Sequence, residues 1–188
     1  MGTKICLIRH GQTDWNKQKL IQGRIDNPLN DTGRENSKLA AKKIQDLNIM
    51  WDEFLSSPLK RAFETAQIIK NELNFTKDII VIPDLTEREF GVLEGKKVCQ
   101  ENYRLMEQGV NGLEMLPDLQ MRAYRTIKKI SKDYPNKNIL VATHSQFIKG
   151  LLSYLIKDFD FTCVLKNNSL TLVEVNNDII EVLSYEEN

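Results

Sequence analysis

Histidine is nearly absent from this chain: two occur in 188 residues, His10 and His144. Neither belongs to an HExxH motif, and neither has a thiol or carboxylate cluster beside it. A metal site has little to be built from, and neither metal nor cofactor is expected. Cysteine is sparse as well. Cys6, Cys99 and Cys163 are far apart with no CxxC pair, which suits reduced thiols in a cytoplasm better than a secreted disulfide framework. Charge of one sign is not in excess, since 26 Lys and Arg balance 26 Asp and Glu. No global field would gather nucleic acid or anionic lipid, so neither is an expected partner. Long apolar runs are missing too: no stretch reaches membrane length, and the one near the N-terminus is too short for a signal peptide. The Met-Gly start lacks the Ser or Thr that myristoylation signals carry at position six, where Cys6 stands. These absences point to a cytoplasmic protein with a small-molecule partner.

The chain offers material for one compact domain over 1–188, with 41% hydrophobic residues. Short β-prone runs alternate with segments of helical period, which predicts an α/β fold with a mostly parallel sheet. Strands are expected at "KICLI", "DEFLSS", "DIIVIPDL" and "NILVAT". Helices are expected at 30–47, with Leu39, Ala40, Ile44 and Leu47 on one apolar stripe, at 58–73, at 118–134 and at 146–156. The stretch 91–117 reads as irregular, with helical character over 100–108. "SLTLVEV" and "IIEVLSY", joined by "NND", read as an edge hairpin, which could pair between subunits; monomer and homodimer both stay open.

Each histidine closes an apolar strand, "KICLIRH" or "NILVATH". The carboxyl edge of a parallel sheet is where ligands bind, so two central strands would turn both imidazoles into one crevice. Around them stand Arg9, Asn16, Gln22 and Arg61, groups that match a phosphate dianion: guanidinium forks pair two oxygens, and helix N-termini offer free N–H groups.

The blocks "LIRHGQTDWN", "IQGRIDNPLNDTG", "SSPLKRAFETA", "LTEREFGVLEG" and "ILVATHSQFIKGLL" together resemble the histidine phosphatase superfamily, in its phosphoglycerate mutase-like branch. They follow that family's order as far as about Leu152. The resemblance implies a three-layer α/β/α sandwich and a phosphomonoesterase working through a phosphohistidine. His10 would be the nucleophile. Arg9, Arg61 and His144 would hold the equatorial phosphoryl oxygens, while Asn16, Gln22, Gly23 and Ser145 would add substrate contacts. Glu87, four residues before Gly91, would be the proton donor in preference to Glu89. A nucleophilic imidazole must be neutral and of fixed tautomer, which neighbouring arginines and a hydrogen bond from its second nitrogen to a nearby backbone carbonyl would secure.

The chain departs from the pattern in two places. Ser145 stands where the family usually has glycine after its second histidine, and "NGLEML" replaces a Gly-Glu-Ser stretch, leaving Glu114 without a role. The cap at about 92–117 is short compared with the insertions of glycolytic mutases, which favours hydrolysis. Lys96, Lys97 and Arg104 keep a phosphoglycerate mutase or other phosphotransferase in view, since they could meet a second anion. Leu20 and Arg24 are candidates for the leaving-group side. A phosphate-binding module without catalysis is the third reading, encouraged by Ser145 alone.

Overall fold

The computed structural model describes residues 2–186. Its frame is a six-stranded sheet made of β1 (Thr3–Arg9), β2 (Glu53–Ser56), β3 (Ile80–Val81), β4 (Asn138–Thr143), β5 (Leu170–Asn176) and β6 (Ile179–Tyr185). The spatial order is β3-β2-β4-β1-β5-β6. The first four strands of that order run parallel, β5 runs antiparallel to β1, and β6 antiparallel to β5. The hairpin expected at one edge is present. Asn177 and Asp178 both have positive φ, 46° and 67°, the backbone that a two-residue turn needs to match strand twist.

Alternation along the central strands builds two cores. Ile5 and Leu7 of β1, with Ile139 and Val141 of β4, pack on one face beneath α5 (Leu116–Asp133) and α6 (Ser145–Leu155). Cys6 and Ile8, with Leu140 and Ala142, pack on the other beneath α2 (Asp31–Asp46) and α3 (Lys60–Glu72). A side-chain period of two on strands buried from both sides gives the expected three-layer sandwich. A third, smaller cluster joins Ile21, Phe90 and Leu93 to Leu105 and Met106 of α4 (Gln100–Gln108). It ties the 90–113 segment to the 20–23 loop, beside the carboxyl edge of the sheet.

Local chemistry sets most boundaries. Asn30 caps α2, its side chain accepting from the Gly33 N–H, and Pro117 occupies the first turn of α5, where its missing N–H costs nothing. The strand expected over 78–85 is only Ile80–Val81; the chain then turns into a 3-10 segment at Pro83–Leu85, because proline cannot donate to a strand ladder. A four-residue helix, α1 (Asp14–Lys17), was not anticipated. Thr13 and Asn16 close it as a reciprocal capping box.

One packing expectation is corrected. Leu39 is 56% exposed, whereas Ser37, Ala40, Ala41 and Ile44 form the buried face of α2. Small residues let α2 lie close to the sheet, and the stripe that fits is one position away from the largest side chain. Ile44→Ala should therefore destabilise the protein by about 2–5 kcal/mol, and Leu39→Ala by less than about 0.5 kcal/mol. Urea unfolding of both variants measures the contrast.

Candidate active site

Strand register brings the two histidines together. Arg9 pairs with Thr143 across β1 and β4, so the next residue on each strand is a histidine. The His10 N–H donates to Thr143 O at 2.9 Å. The two ring centroids lie 5.2 Å apart, with His10 and His144 both buried.

The surroundings of His10 determine its state. Its Nδ1 lies 2.7 Å from the Gly11 carbonyl, and a carbonyl only accepts, so Nδ1 carries the proton and Nε2 keeps its lone pair. The Arg61 Nε–H reaches that Nε2 at 3.3 Å. Burial, then Arg61, then Arg9 hold the His10 pKa well below the ordinary imidazole value: charging the ring would mean adding a cation to a desolvated site that already has two.

Arg61 is fully buried in the first turn of α3. Its guanidinium is satisfied by the Ile25 and Gly23 carbonyls at 2.8 and 2.7 Å. Gly23 has φ +54°, and a Cβ there would meet the Glu94 carboxylate at 2.0 Å, so the position admits only glycine without rearrangement. Arg9 is anchored by an N–H bond to Leu165 O, while its Nε is buried without a partner. Burial lowers its pKa to about 10, which leaves it charged at neutral pH. His144 stands at the N-cap position of α6 without a capping side-chain bond; its Nε2 lies 2.8 Å from Ser57 Oγ, and its Nδ1 is buried without a partner.

Glu87 and Glu89 are separated by the structure. Glu89 pairs with Arg24 at 3.0 Å on the half-exposed surface. Glu87 is buried, and its carboxylate accepts from the Arg88, Gln146 and Phe147 N–H groups at 3.0, 3.1 and 3.3 Å. Burial raises its pKa, and the surrounding cations, Arg61 first, only partly oppose the rise.

The amides of Asn16 and Gln22 are oriented by Thr13. Asn16 Oδ1 accepts from the Thr13 N–H, and Gln22 Oε1 lies 2.9 Å from the Thr13 hydroxyl. With the oxygens engaged, each amide keeps its NH₂ donors for an anion.

These groups surround a cavity of about 170 Å³. Arg9, His10, Asn16, Arg61, Glu87 and Ser145 line it, as do Gln22 and Gly23. His144 does not; it lies behind, against His10. The apolar lining comes from Leu20, Phe90, Val98, Tyr103 and Met106. Lys96, Lys97, Arg24 and Arg104 are not part of the wall. Lys97 instead donates to Gln18 O, and Arg24 is engaged with Glu89.

Several supporting residues escaped the sequence reading. Glu114 forms a two-pronged pair with Arg122 at 2.7 and 2.8 Å. Arg122 also donates to Asp84 O and Thr86 O, bracing the loop that carries Glu87. Asn167 donates to the His10 carbonyl at 2.9 Å. Ser57 stands immediately beyond β2, so the strand-end argument that singled out the histidines could have found it; Arg122 and Asn167 carry no such local signal.

Comparison with known proteins identifies the lineage. The family described as histidine phosphatase superfamily (branch 1) matches residues 5–188. The uncharacterized phosphatase PhoE of Bacillus subtilis is 36% identical over 80% of this chain and 76% of its own. A 2,3-bisphosphoglycerate-dependent phosphoglycerate mutase of Thermoplasma acidophilum is 31% identical over 90% and 86%. Among solved structures, phosphoserine phosphatase of Entamoeba histolytica in complex with 3-phosphoglyceric acid superposes with a TM-score of 0.82 at 26% identity, covering 99% of this chain and 98% of that one. A match running from the first strand to the last residue, joined to strand-end imidazoles in register, makes this chain a member of the histidine phosphatase superfamily, branch 1, and an enzyme of its phosphatase type.

Proposed function

We propose that the chain is a metal-independent phosphomonoesterase, acting through a phosphohistidine at His10 on a small phosphorylated metabolite whose leaving group is uncharged and largely apolar. Residues 1–188 act in this reading as one domain, with about 92–117 as a short cap. The observation that carries it is the state of His10: Nδ1 is tied to the Gly11 carbonyl, and Nε2 is free of a proton beside the Arg61 guanidinium.

The reaction follows from the donors and acceptors in place. A phosphoryl oxygen entering between Arg9 and Arg61 competes for the Arg61 Nε–H and releases the Nε2 lone pair. Nε2 then bonds to phosphorus as the P–O bond to the leaving alcohol breaks, and Glu87, in its acid form, gives that oxygen its proton. Water next attacks the phosphohistidine; the Glu87 carboxylate takes the water's proton, the N–P bond breaks, and inorganic phosphate leaves. Arg9, Arg61 and the NH₂ groups of Asn16 and Gln22 stabilise charge on the equatorial oxygens, the work that phosphoryl transfer mainly requires.

The cavity wall supports hydrolysis over mutase chemistry. A mutase must hold a second anionic group of its substrate, and the cations that could do so, Lys96, Lys97 and Arg104, lie outside the wall. A carboxylate or second phosphate placed beside Leu20, Phe90, Val98 and Met106 would find no cation in the wall beyond Arg9 and Arg61, only the neutral polar groups of Asn102, Tyr103 and Gln146, which compensate a charge less well than a cation does. The grouping of His10, Glu87, Arg9 and Arg61 around one cavity also argues against a module that only binds phosphate, since such a module needs no nucleophile and no acid.

Three outcomes are expected. His10→Ala abolishes hydrolysis of p-nitrophenyl phosphate, and the wild-type enzyme keeps full activity in EDTA; wild-type rates in the variant would remove the covalent step. In kcat/KM, phenyl and short-chain alkyl phosphates exceed 3-phosphoglycerate, and Met106→Arg narrows the difference. The pH profile follows from the two shifts. His10 works as the neutral base with a lowered pKa, so activity is lost only well below pH 6.5. Glu87 works as the acid with a raised pKa, so its proton persists above pH 4.5 and is lost as pH rises through the raised value. Alkyl phosphates should therefore show an alkaline limb, and Glu87→Gln should remove that limb and about 10² to 10⁴ in rate. Aryl phosphates, whose leaving groups need little protonation, should show neither effect strongly.

A further inference from the structure

His144 has one ring nitrogen in a hydrogen bond and one without a partner, and which of them carries the proton decides what it can do for an anion. Nε2 lies 2.8 Å from Ser57 Oγ; Nδ1 is buried with no partner. The ring is surrounded by Arg61, His10, Arg122 and Arg9, and burial together with these groups keeps it neutral, so it holds one proton.

Ser57 decides the question. It is fully buried, and the Leu59 N–H donates to its Oγ at 3.3 Å. Its own hydroxyl proton has a single acceptor among the described residues, His144 Nε2. Were Nε2 protonated, Ser57 would receive two donors, its own proton would be stranded in the interior, and the Nδ1 lone pair would be left without a donor. Each stranded buried polar group carries an uncompensated desolvation cost. With the proton on Nδ1, Ser57 donates to Nε2 and every other group of the set is satisfied.

We infer that Ser57 is a positioning residue that holds neutral His144 as the Nδ1–H tautomer, so that the orphaned Nδ1–H becomes a donor to an oxygen of the phosphoryl group bound at His10. The identification of the acceptor as a phosphoryl oxygen rests on the function proposed above; the tautomer does not. The 5.2 Å between the ring centroids keeps His144 within reach of a group attached to His10. Both imidazoles then share one tautomer for opposite ends: His10 offers the bare nitrogen opposite its N–H, and His144 offers the N–H opposite its bare nitrogen.

With only two histidines in the chain, ¹⁵N-histidine labelling gives two ring systems, assigned with His10→Ala. At pH 7 both rings of the wild-type protein should be neutral with Nδ1 protonated. Ser57→Ala should shift His144 toward the Nε2–H form while leaving the His10 signals in place, and should weaken binding of inorganic phosphate by about 10-fold or more. Ser57→Thr, which keeps the hydroxyl, should restore both tautomer and binding, and thermal melting of each variant reports that it is folded. An Nε2–H ring at His144 in the wild type, or an unchanged tautomer in folded Ser57→Ala, would overturn the inference. Phosphatase activity failing while the tautomer pattern holds would count against the proposed function and leave the role of Ser57 standing.

Discussion

Everything at this site depends on burying the Arg61 guanidinium. A fully desolvated cation is tolerable only if its N–H groups are met by well-placed acceptors, and here they are met by the carbonyls of Gly23 and Ile25 and by a ring nitrogen of His10. The two carbonyls belong to the loop that also carries Gln22, so satisfying the charge shapes the loop around it. Gly23 is compelled by that shape, with a positive φ and the Glu94 carboxylate where a Cβ would stand. Burial first, and this cation second, keep both imidazoles neutral. One buried charge thus shapes the loop around it, reinforces the neutral state of the proposed nucleophile and, with Arg9, gives the cavity its positive sign.

The sheet supplies the placement. Four parallel strands end at one edge, and register carries each strand's next residues to a common level: Arg9 opposite Thr143, Ser56 opposite Ala142 and Val81. Beyond those ends lie His10, His144, Ser57 and the loop with Glu87. Groups fixed in this way need no loop ordering at the moment of reaction, which is the advantage of mounting a site on rigid elements. The antiparallel strands β5 and β6 add no cavity-lining residue, but the loop that leads into β5 closes the back of the site through Leu165 on Arg9 and Asn167 on the His10 carbonyl.

The parts of this arrangement legible in the sequence are those encoded locally. Apolar runs of period two marked the central strands, and a histidine at the end of each followed from reading where the run stops. Turn residues marked the hairpin. What stayed hidden was set by partners far along the chain. Nothing near Leu39 reveals that the α2 face is chosen by a close fit of Ala40 and Ala41 against the sheet rather than by side-chain size. Glu114 gains its role from Arg122, and Arg24 loses one to Glu89; both outcomes depend on how the 84–114 segment folds back, which periodicity does not carry. Spacing alone favoured Glu87 over Glu89, and the burial that distinguishes them is a tertiary property.

Glu87 shows how opposing forces can be balanced to set a proton affinity. Its carboxylate accepts from two N–H groups of the first turn of α6 and one from Arg88, and three arginines, Arg61, Arg9 and Arg122, lie near. Each of these favours the charged form. Desolvation nevertheless outweighs them and leaves the group a weaker acid than usual. In the proposed reaction an incoming phosphoryl dianion would neutralise the field of Arg9 and Arg61, removing part of the force that opposes burial. The carboxyl would then hold its proton most firmly when a substrate occupies the cavity, and become a base again once the alcohol has left with that proton. In this reading the acid and base roles need no conformational change, because the phosphoryl charge stays between Arg9 and Arg61 through both steps while the carboxyl gives up one proton to the alcohol and regains one from water.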